Sequence, residues 1–302
     1  MDKIPLATVK PRRVLVIYNP AAGRSRSKRL AEVITRLKAR GCVVTERKTT
    51  QRGDAEIFAR EASSADYDVI AAAGGDGTIN EVVNGLVSGP DAPQLAVIPL
   101  GTANVLALEI GLDPKNSELI AETIATGPAH TVHLGIANGR HFVLMAGAGL
   151  DAHVVEGVNI ALKRHTGKLA YVVESVRQAF GYDFPALQIR VNGETYEGRM
   201  AVACKGRFYG GPFVAAPDAR LERPKLEVCI LPMAGVSGAV RYGMALPLNK
   251  LAELPEVKVI SADSMTILGP RGAPLQGDGD IVARLPAEIS IAHETVQLIV
   301  PG

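Results

Sequence analysis

The chain has 302 residues, 47% of them hydrophobic, enough for cores in two modest domains. No apolar run reaches the ~18–20 residues of a membrane-spanning helix, and Met1-Asp2-Lys3-Ile4-Pro5 opens no signal-peptide core. The three cysteines, Cys42, Cys204 and Cys229, are odd in number and lie in apolar, strand-like stretches, which excludes a disulfide or zinc framework and predicts reduced thiols in a cytoplasmic protein. A net charge of +2 conceals an uneven spread: residues 1–60 hold 15 Lys/Arg against 5 Asp/Glu. A basic N-terminal part suits an anionic nucleotide and an anionic membrane surface. With no zinc ligands, no aromatic platform and no Trp, the chain offers no motif for nucleic acid.

In chain order, Arg13 to Tyr18 reads as a strand. Leu30, Val33, Ile34 and Leu37 recur at helical spacing, and Val43 to Arg47 returns to strand. A helix near Asp54 to Ala62, a strand ending at Ala73, a helix carrying Ile79, Val82, Val83 and Leu86, and a strand from Leu95 follow. This alternation predicts an α/β nucleotide-binding domain over residues 1–130, a parallel sheet with helices on both faces. After His130 the runs shorten, at 131–136, 141–146, 186–191, 195–204, 225–231, 256–260, 264–268, 280–285 and 295–300, with Gly, Pro and Asn between them. That pattern predicts a mainly antiparallel β-sandwich over residues 131–302. Two helical stretches, near 152–164 and 168–180, interrupt it.

Chemistry concentrates at two glycine turns. Val69 to Ala73 runs into Gly74-Gly75-Asp76-Gly77, and a helical pattern opens at Thr78. Glycines let backbone N–H groups crowd a ligand without Cβ clashes, and a helix N-terminus adds partial positive charge, which suits a phosphate chain. An acid inside such a turn repels phosphate, so Asp76 needs a bridging metal ion or a proton to abstract. The turn therefore points to phosphoryl transfer. Thr78 and Glu81 also have capping-box spacing. A second strand ends in Pro99-Leu100-Gly101-Thr102-Ala103-Asn104, and the two turns are expected to converge at one edge of the sheet. Neither is a Walker A loop or a GxGxxG fingerprint.

Gly74-Gly75-Asp76-Gly77-Thr78, with Asn80-Glu81 and Asn84-Gly85 behind it, resembles the signature of the diacylglycerol kinase catalytic domain family, which includes bacterial lipid kinases, sphingosine kinases and ceramide kinases. Residues 99–104 are similar to its second motif, and Asn19-Pro20 with Gly23 to its first. Gly147, Gly149, Asp151 and Ala152 resemble its mid-chain Gly-x-Gly-x-Asp-Ala. Gln276-Gly277-Asp278-Gly279-Asp280 resembles its late Asp-Gly-Glu. These matches keep the family's order from residue 19 to 280. The Gly-Gly-Asp-Gly element alone is shared with NAD kinases and phosphofructokinases.

The resemblance implies a lipid kinase using ATP and Mg²⁺ on a lipid acceptor at the membrane surface, with the C-terminal strand as a candidate to return to the first domain. It implies Asp280 as proton acceptor, one methylene shorter than the family's Glu, and Asp76 as holder of Mg²⁺ or sharer of the base role. Asp278 would assist the metal; the alternative for Asp278-Gly279-Asp280 is a polar hairpin turn. Nucleotide contacts are implied at Asn19, Arg24, Thr49, Gly74, Gly75, Asp76, Gly77, Thr78, Asn80, Gly101, Thr102 and Asn104, Thr49 being equally suited to capping a loop. Asp151 would read the acceptor headgroup or cap the helix at Ala152, and Lys168 would reach phosphate across the cleft.

Two departures bear on specificity. Val105-Leu106-Ala107-Leu108 stands where bacterial relatives carry Asp-Phe-Ala-Arg, closer to the Asn-Ala-Leu-Ala of sphingosine kinases. Arg223-Pro224-Lys225-Leu226 replaces the Asp-Gly of members with a structural Mg²⁺, so that second site is expected to be absent. Diacylglycerol, phosphatidylglycerol, sphingoid base and ceramide stay open as acceptors. So do a soluble-substrate kinase of the NAD kinase type and a catalytically weak lipid- or nucleotide-binding protein. The oligomeric state is open, a homodimer included.

Overall fold

The computed structural model describes residues 11–20, 24–89, 91–157 and 182–302. Four strands, β1 (Arg13–Tyr18), β2 (Val43–Lys48), β3 (Val69–Gly74) and β4 (Gln94–Pro99), pair in parallel in the order β2-β1-β3-β4. The helices between them are α1 (Arg24–Ala39), α2 (Asp54–Glu61) and α3 (Asp76–Ser88), followed by α4 (Val105–Glu109) and α5 (Ser117–Thr126). Strand β3 is buried along its whole length, as a central parallel strand covered on both faces must be. Gly85 lets α2 and α3 close up: a Cβ there would lie 2.3 Å from the Glu56 carbonyl oxygen.

The second half contains β5 (Ala129–Ala137), β6 (Arg140–Phe142), β7 (Met145–Ala148), α6 (Leu150–Gly157), β8 (Leu187–Val191), β9 (Glu194–Gly198) and β10 (Met200–Cys204). A small hairpin, β11 (Phe208–Tyr209) with β12 (Phe213–Val214), precedes β13 (Leu226–Leu231) and the helix Gly235–Ala245. Strands β14 (Lys258–Ala262), β15 (Ser264–Leu268), β16 (Pro274–Gly277), β17 (Asp280–Arg284) and β18 (Ala287–Ile299) complete it. One sandwich sheet runs β14-β13-β10-β7-β16-β17, antiparallel throughout. The facing layer continues the first sheet. Strand β18 pairs antiparallel with β15 and β5, then meets β4 in parallel at Leu298 opposite Leu95. The C-terminal strand therefore stitches the two halves into one ten-stranded sheet.

Between the sandwich layers, Ile189, Val191, Met265, Ile267 and Ile289 pack against Ala201, Ala203, Val228 and Ile230 in a core of their own. Several boundaries differ from the sequence reading. The runs 141–146 and 195–204 are each two strands, broken at Val143-Leu144 and at Arg199. Strand β18 begins at Ala287, well before 295, and the helix Gly235–Ala245 was not foreseen because Gly235, Gly238 and Gly243 mask its pattern. The stretch near 152–164 begins as α6 at Leu150. The stretch 168–180, with Lys168, and the Arg24 side chain lie outside the described residues.

Candidate active site

The two glycine turns meet backbone to backbone at the C-terminal edge of β3 and β4. A Cβ on Gly101 would stand 2.6 Å from the Gly75 Cα, and the Leu100 N–H donates to the Gly74 carbonyl at 2.9 Å. A side chain at Gly101 would drive the turns apart, and one at Gly75 would press against the Gly101 Cα at 3.3 Å. Asn104, in the left-handed region (φ 51°) that Asn tolerates, curls its amide onto Gly101, accepting from its N–H at 2.7 Å and donating to its carbonyl at 3.1 Å. Asp76 opens α3 and accepts the Leu106 N–H at 3.3 Å, tying the first turn of α3 to that of α4. Burial pushes its carboxyl above the ordinary value, opposed by the Leu106 and Val105 N–H groups and reinforced by the charge of Asp278.

The capping box is not formed. Helix α3 starts at Asp76 with Gly75 as N-cap, so Thr78 lies inside the helix, its side chain filling the space that a Cβ on Gly74 would need. Glu81 turns to the start of α2, where the Gly53 and Ala55 N–H groups oppose the upward push of burial on its carboxyl. The loop before α2 is held by Asp54, which accepts from the Thr50 N–H and hydroxyl and the Gln51 N–H. These donors keep its carboxyl down at about 2.

Asn80, expected at the nucleotide, is buried in the seam between the halves instead. Its Nδ2 donates to the His141 carbonyl at 3.0 Å and to Asp278 Oδ2 at 2.9 Å, and its Oδ1 accepts from Asn84 at 3.1 Å. Asn84, one turn on, exchanges two hydrogen bonds with the His141 backbone. Asparagines at i and i+4 on one helix face thus clamp the edge of the sandwich.

Asp278 is also corrected. It and Gly279 form a two-residue hairpin loop between β16 and β17 with φ of 49° and 84°, the left-handed geometry that Asp-Gly favours. Its carboxylate accepts from the N–H groups of Val143 (2.7 Å), Leu144 (2.9 Å) and Met145 (3.1 Å) and from Asn80. Four donors occupy the four acceptor positions of a carboxylate, leaving none for a cation. Burial pushes this carboxyl up and the donors pull it back. A proton there would face only donors, so the site fits the ionised form.

Asp280, two residues on, is different. Its side chain is 38% exposed, with Arg52 at 3.6 Å, and its Oδ2 lies 3.0 Å from where a Cβ on Gly77 would stand. The missing side chain at Gly77 brings this carboxylate against the start of α3. Asp280 lines a cavity of about 360 Å³ with Arg52, Glu56, Glu81, Arg140 and Val282. Gln276 positions the hairpin: its Oε1 accepts the Gly279 N–H at 3.0 Å and its Nε2 donates to Asp151 at 3.1 Å. Asp151 is buried, lies in the first turn of α6, and also takes the Ala152 N–H and the Tyr209 hydroxyl. Burial pushes its carboxyl up. Through Gln276 it braces the hairpin that carries Asp280, and its bonds go to the protein itself and not outward to a headgroup.

At the other side of the turns, Tyr18, Asn19, Arg26, Ser27, Leu30 and Leu100 line a second cavity of about 230 Å³. Arg26, not expected from the sequence, reaches the exposed Thr102 hydroxyl at 3.2 Å. Thr49 is buried and donates to the Tyr18 carbonyl at 3.3 Å, the loop-capping option. Glu109, at the end of α4, grips the Arg207 and Phe208 N–H groups and the Arg207 guanidinium, bracing the second turn against the sandwich. Arg26, Arg52 and Glu109 carry no local sequence signal. Gln276 stood within a recognised motif without a role.

The donor set fits a nucleotide-borne divalent ion. Among the described residues no three His, Cys, Asp or Glu side chains converge on one point. Asp76 stands beside a backbone cradle, and Mg²⁺ characteristically takes one or two carboxylates plus phosphates and water. At the loop 220–225 the cation is Lys205, not the side chains of Arg223 and Lys225. Its ammonium donates to the carbonyls of Arg220 (3.3 Å), Arg223 and Lys225 (3.2 Å), while the Lys225 ammonium pairs with Asp263. With these carbonyls turned onto an ammonium, calorimetry without nucleotide should find no micromolar Mg²⁺ site. A site that disappears on mutating this loop would contradict that.

Residues 13–137 match the family model of the diacylglycerol kinase catalytic domain, and residues 145–300 that of the YegS C-terminal NAD kinase beta sandwich-like domain. A diacylglycerol kinase of Bacillus subtilis is 29% identical over 293 residues, covering 96% of this chain and 97% of that protein. One of Staphylococcus carnosus is 28% identical, covering 96% and 95%. Among solved structures, a putative diacylglycerol kinase from Bacillus anthracis superposes with a TM-score of 0.80 at 23% identity over 97% of each chain, a likeness of fold.

Proposed function

Because the chain belongs to the diacylglycerol kinase catalytic domain family, we propose that it is an ATP-dependent lipid kinase that transfers the γ-phosphate to a lipid hydroxyl. The observation that carries this is the half-exposed Asp280 carboxylate set against Gly77 at the start of α3, beside the paired glycine turns. Phosphoryl transfer needs little covalent help and depends on positioning, charge neutralisation and a base. The Gly74–Gly77 turn and the Gly101-Thr102 turn cradle phosphates, Arg26 supplies a cation at Thr102, and Asn19 borders the nucleotide. Asp76 is the residue that would hold Mg²⁺, directly or through water, and the ion would neutralise phosphate charge. Asp280 takes the proton of the acceptor hydroxyl as its oxygen bonds to phosphorus and the bond to ADP breaks.

The cytoplasmic, membrane-peripheral location belongs to the same proposal; among the described residues no helix is long and apolar enough to cross a bilayer. The test is phosphate incorporation from labelled ATP into diacylglycerol, phosphatidylglycerol, a sphingoid base and ceramide, with NAD beside them. Label in one lipid class is the expected result. Label in NAD alone would replace this reading with the NAD kinase type. Nucleotide binding without label in any acceptor would leave a binding protein.

A further inference from the structure

We infer that Arg52 is a catalytic residue, its guanidinium meeting the γ-phosphoryl group of ATP between the Gly77 turn and Asp280. The inference rests on the kinase reading and adds to it a residue that belongs to no motif. Arg52 lies in the loop between β2 and α2, its side chain 69% exposed, with Nη2 3.6 Å from Asp280 Oδ2. That same oxygen faces Gly77, 3.0 Å from where a Cβ would stand. The guanidinium is therefore held at the carboxylate oxygen turned toward the phosphate turn. The loop is firm on both sides of it. Thr49 donates its N–H to the Tyr18 carbonyl at 2.9 Å, and Asp54 gathers the Thr50 and Gln51 N–H groups. After Arg52, the Gly53 carbonyl accepts the Ile57 N–H at 3.1 Å, and the Gly53 and Ala55 N–H groups bond Glu81 of α3. Helix α3 opens at the phosphate turn, so this loop and that turn are fixed to each other.

The other charges of the Asp280 cavity are already engaged. Arg140 donates to Glu56 at 2.5 Å, Arg60 donates to the same carboxylate at 2.7 Å, and Glu81 is turned to the start of α2. Among the described residues, the one ion-pair contact of Arg52 is with Asp280. At 3.6 Å it is longer than a hydrogen bond, and a pair this exposed holds little energy. A ligand phosphate can take the guanidinium at small cost. The reaction asks for a cation at this point. The acceptor oxygen bonds to phosphorus, the bond to ADP breaks, and the hydroxyl proton passes to Asp280. The anionic phosphoryl oxygens then come up beside a carboxylate, and like charges repel. A guanidinium beside both relieves that repulsion. It stays protonated throughout, and its fork of N–H groups matches two phosphoryl oxygens at once.

The test is calorimetry of the full chain with Mg²⁺ and either ADP or a non-hydrolysable ATP analogue, no lipid present. Turnover with labelled ATP is measured beside it, and a melt of each variant checks the fold. Arg52→Ala should weaken the analogue about tenfold, leave ADP within about twofold and lower kcat about a hundredfold. Arg52→Lys keeps the charge without the fork and should fall between Arg52→Ala and wild type. A folded Arg52→Ala that binds the analogue as wild type does overturns the proposal. If its turnover is lost all the same, Arg52 acts through Asp280 and meets no phosphate. Equal losses for ADP and the analogue overturn it too, since the contact would then lie away from the γ-phosphate. Wild type that binds neither nucleotide removes the kinase reading itself, a result distinct from each of these. The comparison of ADP with the analogue is read without an acceptor, so it does not depend on which lipid is phosphorylated.

Discussion

Asp280→Asn is expected to lower kcat by about 10²–10⁴ while ATP affinity stays nearly unchanged. The substitution is close to isosteric. The hairpin's left-handed residues are Asp278 and Gly279, and its anchors are Gln276 and the four donors on Asp278, so none is disturbed. What is lost is an acceptor for the hydroxyl proton, which matters only as the oxygen attacks. The loss therefore falls on turnover and not on binding of nucleotide. Asp280→Glu is the sharper variant. It restores the length common in the family, and the cavity along Arg52 and Val282 offers room, so substantial activity should remain. The measurements are kcat and KM for both substrates, ATP binding by calorimetry, and a melt of each variant. If Asn, Glu and Ala at 280 all turn over as wild type in folded protein, Asp280 leaves the mechanism and Asp76 becomes the candidate base.

The architecture was legible because its signals are periodic and local. Parallel strands, amphipathic helices and glycine turns recur within a dozen residues, and the boundaries of β1 and β3 follow from apolar spacing, while α3 begins two residues before the Thr78 that capping-box spacing suggested. The roles of several site residues were not legible, for one physical reason. Asn80, Asp151 and Asp278 carry polar groups suited to ligands, but the fold consumes them to satisfy donors and carbonyls brought from far along the chain. Asp278 takes N–H groups from Val143 to Met145, left unpaired where β6 ends and β7 begins. Nothing near residue 278 announces that need. In Asp278-Gly279-Asp280 the two acids divide: Asp278 builds the hairpin turn, and Asp280, which faces the cavity, is the acid proposed as base. Arg26 and Arg52 were missed because loop and helix cations look alike until a turn is placed opposite them.

Lys205→Met is expected to destabilise the fold by about 3 kcal/mol or more, since it leaves three carbonyls without a donor in a closed site. Lys205 is 0% exposed and faces no carboxylate within bonding distance; its partners are the carbonyls of residues 220, 223 and 225. Its own backbone N–H bonds Leu144, whose N–H bonds Asp278. The lysine therefore joins the 220–225 loop to the strand connection that holds the Asp278 hairpin. Burial lowers its pKa to about 8 from 10.5, so at pH 7 the ammonium stays charged and makes all three bonds. Between these two values the unfolded chain keeps the proton and the native state releases it. Stability then rises with pH, because the cost of burying the charge is relieved. Wild type should gain on Lys205→Met as pH climbs from about 8 toward 10.5, and chemical denaturation at several pH values reads this directly. A Lys205→Met protein as stable as wild type would show that the loop holds itself without the ammonium. A stability gap that stays constant through that range would show that the lysine titrates as it does in water.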